Sequence, residues 1–279
     1  MFSLPNSGMK IVIPALTLLF AFVASWPAHA QSSEWEILNE EATSLYRQGR
    51  YDRALVVAKM ALLIAEQALG PNHPDVAKSL NNLAGLYYAQ GQYPLAEPLF
   101  KRSLLIREKS RGPDHPEVAT SLNNLARLYH IQGLYVLAES LFKRSLAICE
   151  RAFGPDHPEV ATSLNNLASL YNTQGQQMSA ETLFKRSLEI REKALGTGHP
   201  DVATSLNNLA SLYFIQGQYM QAEPLYKRSL DIREKALGPN HPSVAMSLEN
   251  LANLYRKTNR EMMAKDLEKR AVEIQAIKR

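Results

Sequence analysis

Five His-Pro dipeptides, at 73–74, 115–116, 157–158, 199–200 and 241–242, recur 42 residues apart, and one sits within Asp114-His115-Pro116-Glu117. An imidazole nitrogen flanked by two carboxylates is a plausible set of ligands for a divalent metal. The flanking acids do not persist, however: the equivalents are Asn72-His73-x-Asp75, Gly198-His199-x-Asp201 and Asn240-His241-x-Ser243. Histidines on successive packed helices also stand about 10 Å apart, too far to share one zinc ion with ligand bonds of about 2 Å. The series is therefore read as helix caps and linker packing, and neither a metal nor a cofactor is expected.

Other reactive types are equally unsupported as chemistry. HExxH, GxSxG, phosphate-loop and dinucleotide-glycine motifs are all absent from the sequence. Near-identical copies give no single irregular site, so no catalytic residue and no enzymatic activity are expected. Cys149 is the sole cysteine, which rules out an internal disulfide. It occupies the column of Arg107, Arg191 and Arg233, which assigns it to an exposed helix face, as an adventitious thiol or one that pairs with another chain. The basic pairs Lys101-Arg102, Lys143-Arg144, Lys185-Arg186, Lys227-Arg228 and Lys269-Arg270 suggest an anionic partner, but Glu97, Glu139, Glu181 and Glu223 each precede a Lys by four residues. That order makes helix ion pairs of roughly 0.2–0.5 kcal/mol each, so the ladder reads as a solvated outer wall and no nucleic acid is expected.

The elements that carry these residues follow one ruler. SLNNLA occurs at 79–84, 121–126, 163–168 and 205–210, with SLENLA at 247–252. Leu38 aligns with Leu80, Ala42 with Ala84, Gly49 with Gly91 and Tyr51 with Tyr93, so an additional copy precedes the first His-Pro. Six units result, at about 34–69, 70–111, 112–153, 154–195, 196–237 and 238–279. In the third, Pro116-Glu117 starts a helix that runs to about Ile131 and stops before Gly133; a second begins near Tyr135 and ends before Gly154-Pro155. Pro98 and Pro224 fall near the start of second helices, where a missing N–H costs little. Helix pairs of this size cannot bury their apolar faces alone, so they stack on one another.

The stretch LAGLYYAQGQYPLAE at 83–97 resembles the tetratricopeptide repeat, and the 42-residue spacing with SLNNLA and KRSLxIRE is similar to the kinesin light chain subfamily. The likeness covers essentially all of 34–275. It implies an all-α, right-handed superhelical solenoid of about six helix-turn-helix repeats, whose first helices line a concave groove for protein or peptide partners. Kinesin light chains also carry a heptad coiled coil that docks the motor; nothing in this chain resembles it, so a motor role is not carried over.

On the first helix of a unit, Val76, Leu80, Leu83, Ala84 and Tyr87 fall within an arc of roughly 100° and form the expected core stripe. Asn81 and Asn82 lie on the other face, with Lys78 and Tyr88. Stacking turns the pairs into two ladders: Asn81, Asn123, Asn165 and Asn207 in one, Asn82, Asn124, Asn166, Asn208 and Asn250 in the other. A carboxamide both donates and accepts, so each ladder suits either the backbone of an extended peptide or the neighbouring helices of the array. Groove columns that differ between copies, among them Arg127, His130 and Phe214, either set selectivity or record drift after duplication.

The first thirty residues stand apart. An apolar run, Ile11–Ser25, follows Lys10 and precedes Ala28-His29-Ala30, which reads as a signal peptide cleaved after Ala30, with an uncleaved N-terminal anchor as the alternative and Met9 as an alternative start. The net charge is +4 for 279 residues and +3 for residues 31–279, too weak to imply nucleic acid. The expectation is an exported scaffold, periplasmic or extracellular, without a membrane span after cleavage. It binds a peptide or partner segment in its groove or, alternatively, self-assembles through its ends.

Overall fold

A computed structural model describes the backbone of residues 28–276 and the side chains of residues 34–276. The expected signal peptide lies outside the described residues, apart from Ala28–Ala30 at the start of the first helix. Twelve α-helices account for the secondary structure of the described residues. They are α1 (Ala28–Arg47), α2 (Tyr51–Leu69), α3 (Pro74–Ala89), α4 (Tyr93–Arg111), α5 (Pro116–Ile131), α6 (Tyr135–Phe153), α7 (Pro158–Thr173), α8 (Gln177–Leu195), α9 (Pro200–Ile215), α10 (Tyr219–Leu237), α11 (Pro242–Lys257) and α12 (Glu261–Ala276). The chain divides into two compact units: one, ending at Asp114, holds α1–α4, and the other, from His115, holds α5–α12. Within the units, every first helix packs on the second helix of its own pair, and α3, α7, α9 and α11 also pack on the second helix of the pair before.

The His-Pro dipeptides are helix caps. In each, the imidazole Nδ1 accepts the backbone N–H two residues on: Asp75 to His73, Glu117 to His115 and Glu159 to His157 at 3.2 Å, Asp201 to His199 and Ser243 to His241 at 3.1 Å. The proline at the first helical position loses no intrahelical bond. The turns close on glycine in the left-handed region, such as Gly133 at φ 76° and Gly154 at φ 86°. Asn259 replaces that glycine in the last pair and sits at φ 59°, a conformation asparagine tolerates better than most residues. Pro98 and Pro224 lie six residues into continuous 19-residue helices, deeper than the first turn.

The core repeats as the sequence does. The columns of Val76, Leu80 and Ala84 are fully buried in every copy from α3 to α11. Burial is wider than one stripe: Ala77, Ser79 and Leu86 are also buried, because α3 is packed on two sides rather than one. Tyr87, expected in the core, is only half-buried. Its counterpart Tyr171 is half-buried too, whereas Tyr129, Tyr213 and Tyr255 are buried as expected; the hydroxyls of Tyr171 and Tyr213 donate to Glu139 at 3.2 Å and Glu181 at 2.9 Å. Second helices are fastened to first helices through buried serines: the hydroxyls of Ser103, Ser145, Ser187 and Ser229 donate to the carbonyls of Ala77, Ala119, Ala161 and Ala203 at 2.7–2.9 Å.

The basic ladder is occupied internally. Lys101, Lys143, Lys185 and Lys227 each meet the glutamate four residues earlier at 2.7 Å. Arg102, Arg186, Arg228 and Arg270 reach Glu66, Glu150, Glu192 and Glu234 on the preceding second helix. Exposed pairs of this kind contribute little individually. The pair at Glu223 is better formed, since Arg260 grips both carboxylate oxygens at 3.0 and 2.8 Å while Lys227 adds a third contact. Arg260, and after it Lys227, hold the Glu223 carboxyl at about 2, well below its ordinary 4.5. Stabilisation from a depressed carboxyl is complete above the unfolded pKa and is lost as the pH falls from about 4.5 toward 2. The wild type should therefore melt above Glu223→Gln at neutral pH, and thermal melts across pH 2–7 should show that advantage vanishing over this interval; a pH-independent difference would contradict it.

Candidate functional site

The paired asparagines lie between successive first helices. Asn208 Nδ2 donates to Asn165 Oδ1 at 2.9 Å, and Asn250 Nδ2 to Asn207 Oδ1 at 2.8 Å. In these copies the two expected ladders are thus one: the second asparagine of a copy donates to the first asparagine of the copy before. In the other unit, Asn82 Nδ2 donates to Asn39 Oδ1 at 3.1 Å. Asn39 was not among the predicted residues, although the alignment of Leu38 with Leu80 places it 42 residues before Asn81. Asn165 and Asn207 are buried between neighbouring helices rather than open on the groove face; Asn81, Asn82, Asn123, Asn124, Asn166, Asn208 and Asn250 are half-buried. A carboxamide between two helices meets both its donor and acceptor needs there, so burial costs little.

The arginine column also turns inward. Arg191 donates from Nη1 to Ser205 Oγ at 2.9 Å and to the Asp201 carbonyl at 3.1 Å, and from Nη2 to Thr162 Oγ1 at 3.2 Å. Arg233 repeats this on Ser247 Oγ at 2.7 Å and the Ser243 carbonyl at 3.2 Å. Burial lowers the pKa of both guanidinium groups, and for Arg191 the charges of Asp201 and Glu159 counter the shift. Cys149 shares the column and is buried at 3% exposure, so the expectation of an exposed thiol fails for the same reason. Burial pushes its pKa up, which keeps it a protonated thiol and a poor nucleophile.

Replacing that arginine by cysteine leaves a mark. Ser163, the counterpart of Ser205, receives its hydrogen bond from Asn123 Nδ2 at 3.2 Å and itself donates to Cys149 Sγ at 3.7 Å. Asn123 Oδ1 is buried with no hydrogen-bond partner, so the rung from Asn166 is open here. A cleft of about 390 Å³ lies at this point between α5 and α7. Its lining brings together four predicted residues, Asn123, Asn124, Arg127 and Asn166, with Cys149 and Phe153, which sequence reasoning missed. Both belong to α6 where it departs from its siblings, as ICERAFG against IREKALG at 190–196.

The remaining predicted residues do not converge on the cleft. Lys78 Nζ lies 5.5 Å over the Trp35 ring. Tyr88, His130 and Phe214 pack across their helix turns on Tyr93, Tyr135 and Tyr219, with ring centroids 5.6–6.1 Å apart. His130 Nε2 also meets Thr173 Oγ1 at 2.9 Å, and burial holds the imidazole pKa below its ordinary value. Among the described residues, no three His, Cys, Asp or Glu side chains gather to hold a metal, and no helix is long and apolar enough to cross a membrane.

The Tetratricopeptide repeat family model matches the chain at residues 36–104, 75–146, 124–193, 178–219 and 201–276. The chain is similar to a putative kinesin light chain of nearly identical TPR-like repeats from Podosopora anserina, at 30% identity over 73% of this chain and 97% of that one, with a TM-score of 0.58. It shares its fold with BtubC (BKLC) from P. vanneervenii, at 23% identity over 83% and 91% of the two chains and a TM-score of 0.61. A Rap protein solved with Competence and Sporulation Factor aligns at 16% identity over 88% and 76%, with a TM-score of 0.64. No curated protein matches the chain.

The rungs generate a paired prediction. Asn208→Ala removes a closed rung and should lower the stability found by denaturant unfolding by about 1 kcal/mol. Asn166→Ala, at the open rung, should change it by less than about 0.5 kcal/mol. Equal losses at the two positions would contradict the ladder's geometry.

Proposed function

The chain belongs to the tetratricopeptide repeat family, in its kinesin light chain-like branch, and from that premise we propose a non-enzymatic scaffold that holds a peptide segment along the face of its first helices. Proteins of this family serve as interaction scaffolds. The observation that carries the reading is the cleft between α5 and α7, where Asn123, Asn124, Arg127 and Asn166 meet in one recess. Carboxamides at this spacing can pair with the N–H and C=O groups of an extended chain, while the cleft takes a side chain. The structural likeness to a Rap protein in complex with Competence and Sporulation Factor supports a bound ligand on such an array. The apolar run before Ala28-His29-Ala30 supports export, which puts the partner in the periplasm or outside the cell.

Self-assembly is the second reading. It is favoured by the exposed apolar side chains of the last helix, Met262 at 81% and Val272 at 63%. Sedimentation across a concentration series separates the two, since a scaffold of the first kind stays one size and an end-to-end assembly grows.

The groove reading is tested with an array of extended peptides captured by residues 31–279 and by the Asn166→Ala and Arg127→Ala variants, each melted in parallel. Capture of the selected peptides should weaken about fivefold or more on losing one groove hydrogen bond or charge, with melting unchanged. Undiminished capture by both variants, or no capture by the wild type, rejects it.

A further inference from the structure

The third repeat is the one in which the column-149 arginine is a cysteine while its cleft-facing partners are kept. In the next pair, the Arg191 guanidinium fills the equivalent space and bonds the Thr162 hydroxyl, the Asp201 carbonyl and the Ser205 hydroxyl. The counterparts of those acceptors are Thr120, Glu159 and Ser163, and Thr120 and Glu159 line the cleft. With the short Cys149 thiol at this position, the guanidinium is missing. Ser163 is served instead by Asn123, whose buried Oδ1 is left without a donor.

We propose that this cleft is a specificity pocket for an arginine side chain of the bound peptide, whose guanidinium takes the place that Arg191 and Arg233 occupy in their own repeats. The proposal rests on the groove reading above and adds the side chain that is read. Three features select a guanidinium. The Thr120 hydroxyl, the Glu159 backbone carbonyl and Asn123 Oδ1 are acceptors, and a planar fork of five N–H donors can serve several at once. The Glu117 and Glu159 carboxylates outnumber the single cation Arg127 on the lining, so a positive charge is favoured. Phe153, one helical turn beyond Cys149, offers an aromatic face already stacked on His157 at 4.5 Å, and guanidinium planes stack on such faces more readily than ammonium groups. The sibling positions hold Leu195 and Leu237, so the aromatic and the vacated arginine site occur together in one helix.

The intact chain is titrated with acetyl-Ala-Ala-Arg-Ala-Ala-amide and with its lysine and citrulline counterparts, while the backbone amide signals of Thr120, Asn123 and Glu159 are followed by NMR. The arginine peptide should shift these signals and bind about tenfold more tightly than the lysine peptide, because only the fork satisfies several acceptors. The neutral citrulline peptide should leave them in place. Cys149→Arg should melt above the wild type and lose the response, its own guanidinium now filling the cleft. Cys149→Met, which fills the space without donors, should lose the response whatever the stability of the arginine variant. Equal shifts from all three peptides, no shift from the arginine peptide, or an undiminished response in both filled variants overturns the proposal. If array capture fails while the arginine-selective response persists, only the groove reading falls. If array capture holds without arginine selectivity, only the pocket falls.

Discussion

Within each compact unit, the junctions between successive first helices bury a serine hydroxyl that must be supplied with a donor, and the local structure follows from how that is done. Ser205 and Ser247 receive it from the arginines of the preceding second helices, Arg191 and Arg233. Ser79 receives it from Trp35 Nε1 at 2.6 Å and from Asn39, in a copy where alanine stands at the arginine position, Ala65. Ser163 receives it from Asn123. An unsatisfied hydroxyl at such a site costs about 1–3 kcal/mol, so a change in one column forces a compensating change in another. The asparagine ladder and the arginine column are therefore one hydrogen-bond network with interchangeable donors.

Much of this array was legible from spacing alone. The 42-residue ruler fixes the number and length of the helices, because His-Pro caps each first helix from α3 to α11 and a glycine at positive φ follows each helix from α1 to α10. The inward turn of Cys149 and its arginine siblings was not legible. A helical wheel treats a helix as having one buried arc, whereas these helices are packed by their own pair and by the next, and a charged residue in the second arc reads as exposed. The same limitation set all the asparagines on the face opposite the core, when Asn165 and Asn207 are at 8% exposure. Asn39 and Trp35 lie in the least regular copy, where the SLNNLA signature has decayed to ILNEEA at 37–42.

The candidate site was half legible. Asn123, Asn124, Arg127 and Asn166 were chosen because they recur or vary along one face, and they do meet in a cleft. Cys149 was read as a single substitution on a different helix, and Phe153 was not singled out. Their shared location depends on α6 lying beneath the junction of α5 and α7, and helix packing, unlike repeat spacing, is not written as a period.

A chain of near-copies separates framework from function in a way a single domain does not. Residues that hold neighbours together must recur, because each junction poses the same packing problem; a residue that reads a ligand is free to occur once. Arg191 and Arg233 show what the framework requires of their column, and Cys149 withholds it while the surrounding acceptors are retained. Simple drift would be expected to let those acceptors decay along with the arginine that used them. Instead Thr120 and Ser163 keep their types, matching Thr162 and Ser205, and an aromatic ring arrives one turn away. A vacancy whose walls are maintained is better explained by an occupant from outside the chain than by the loss of one from within it.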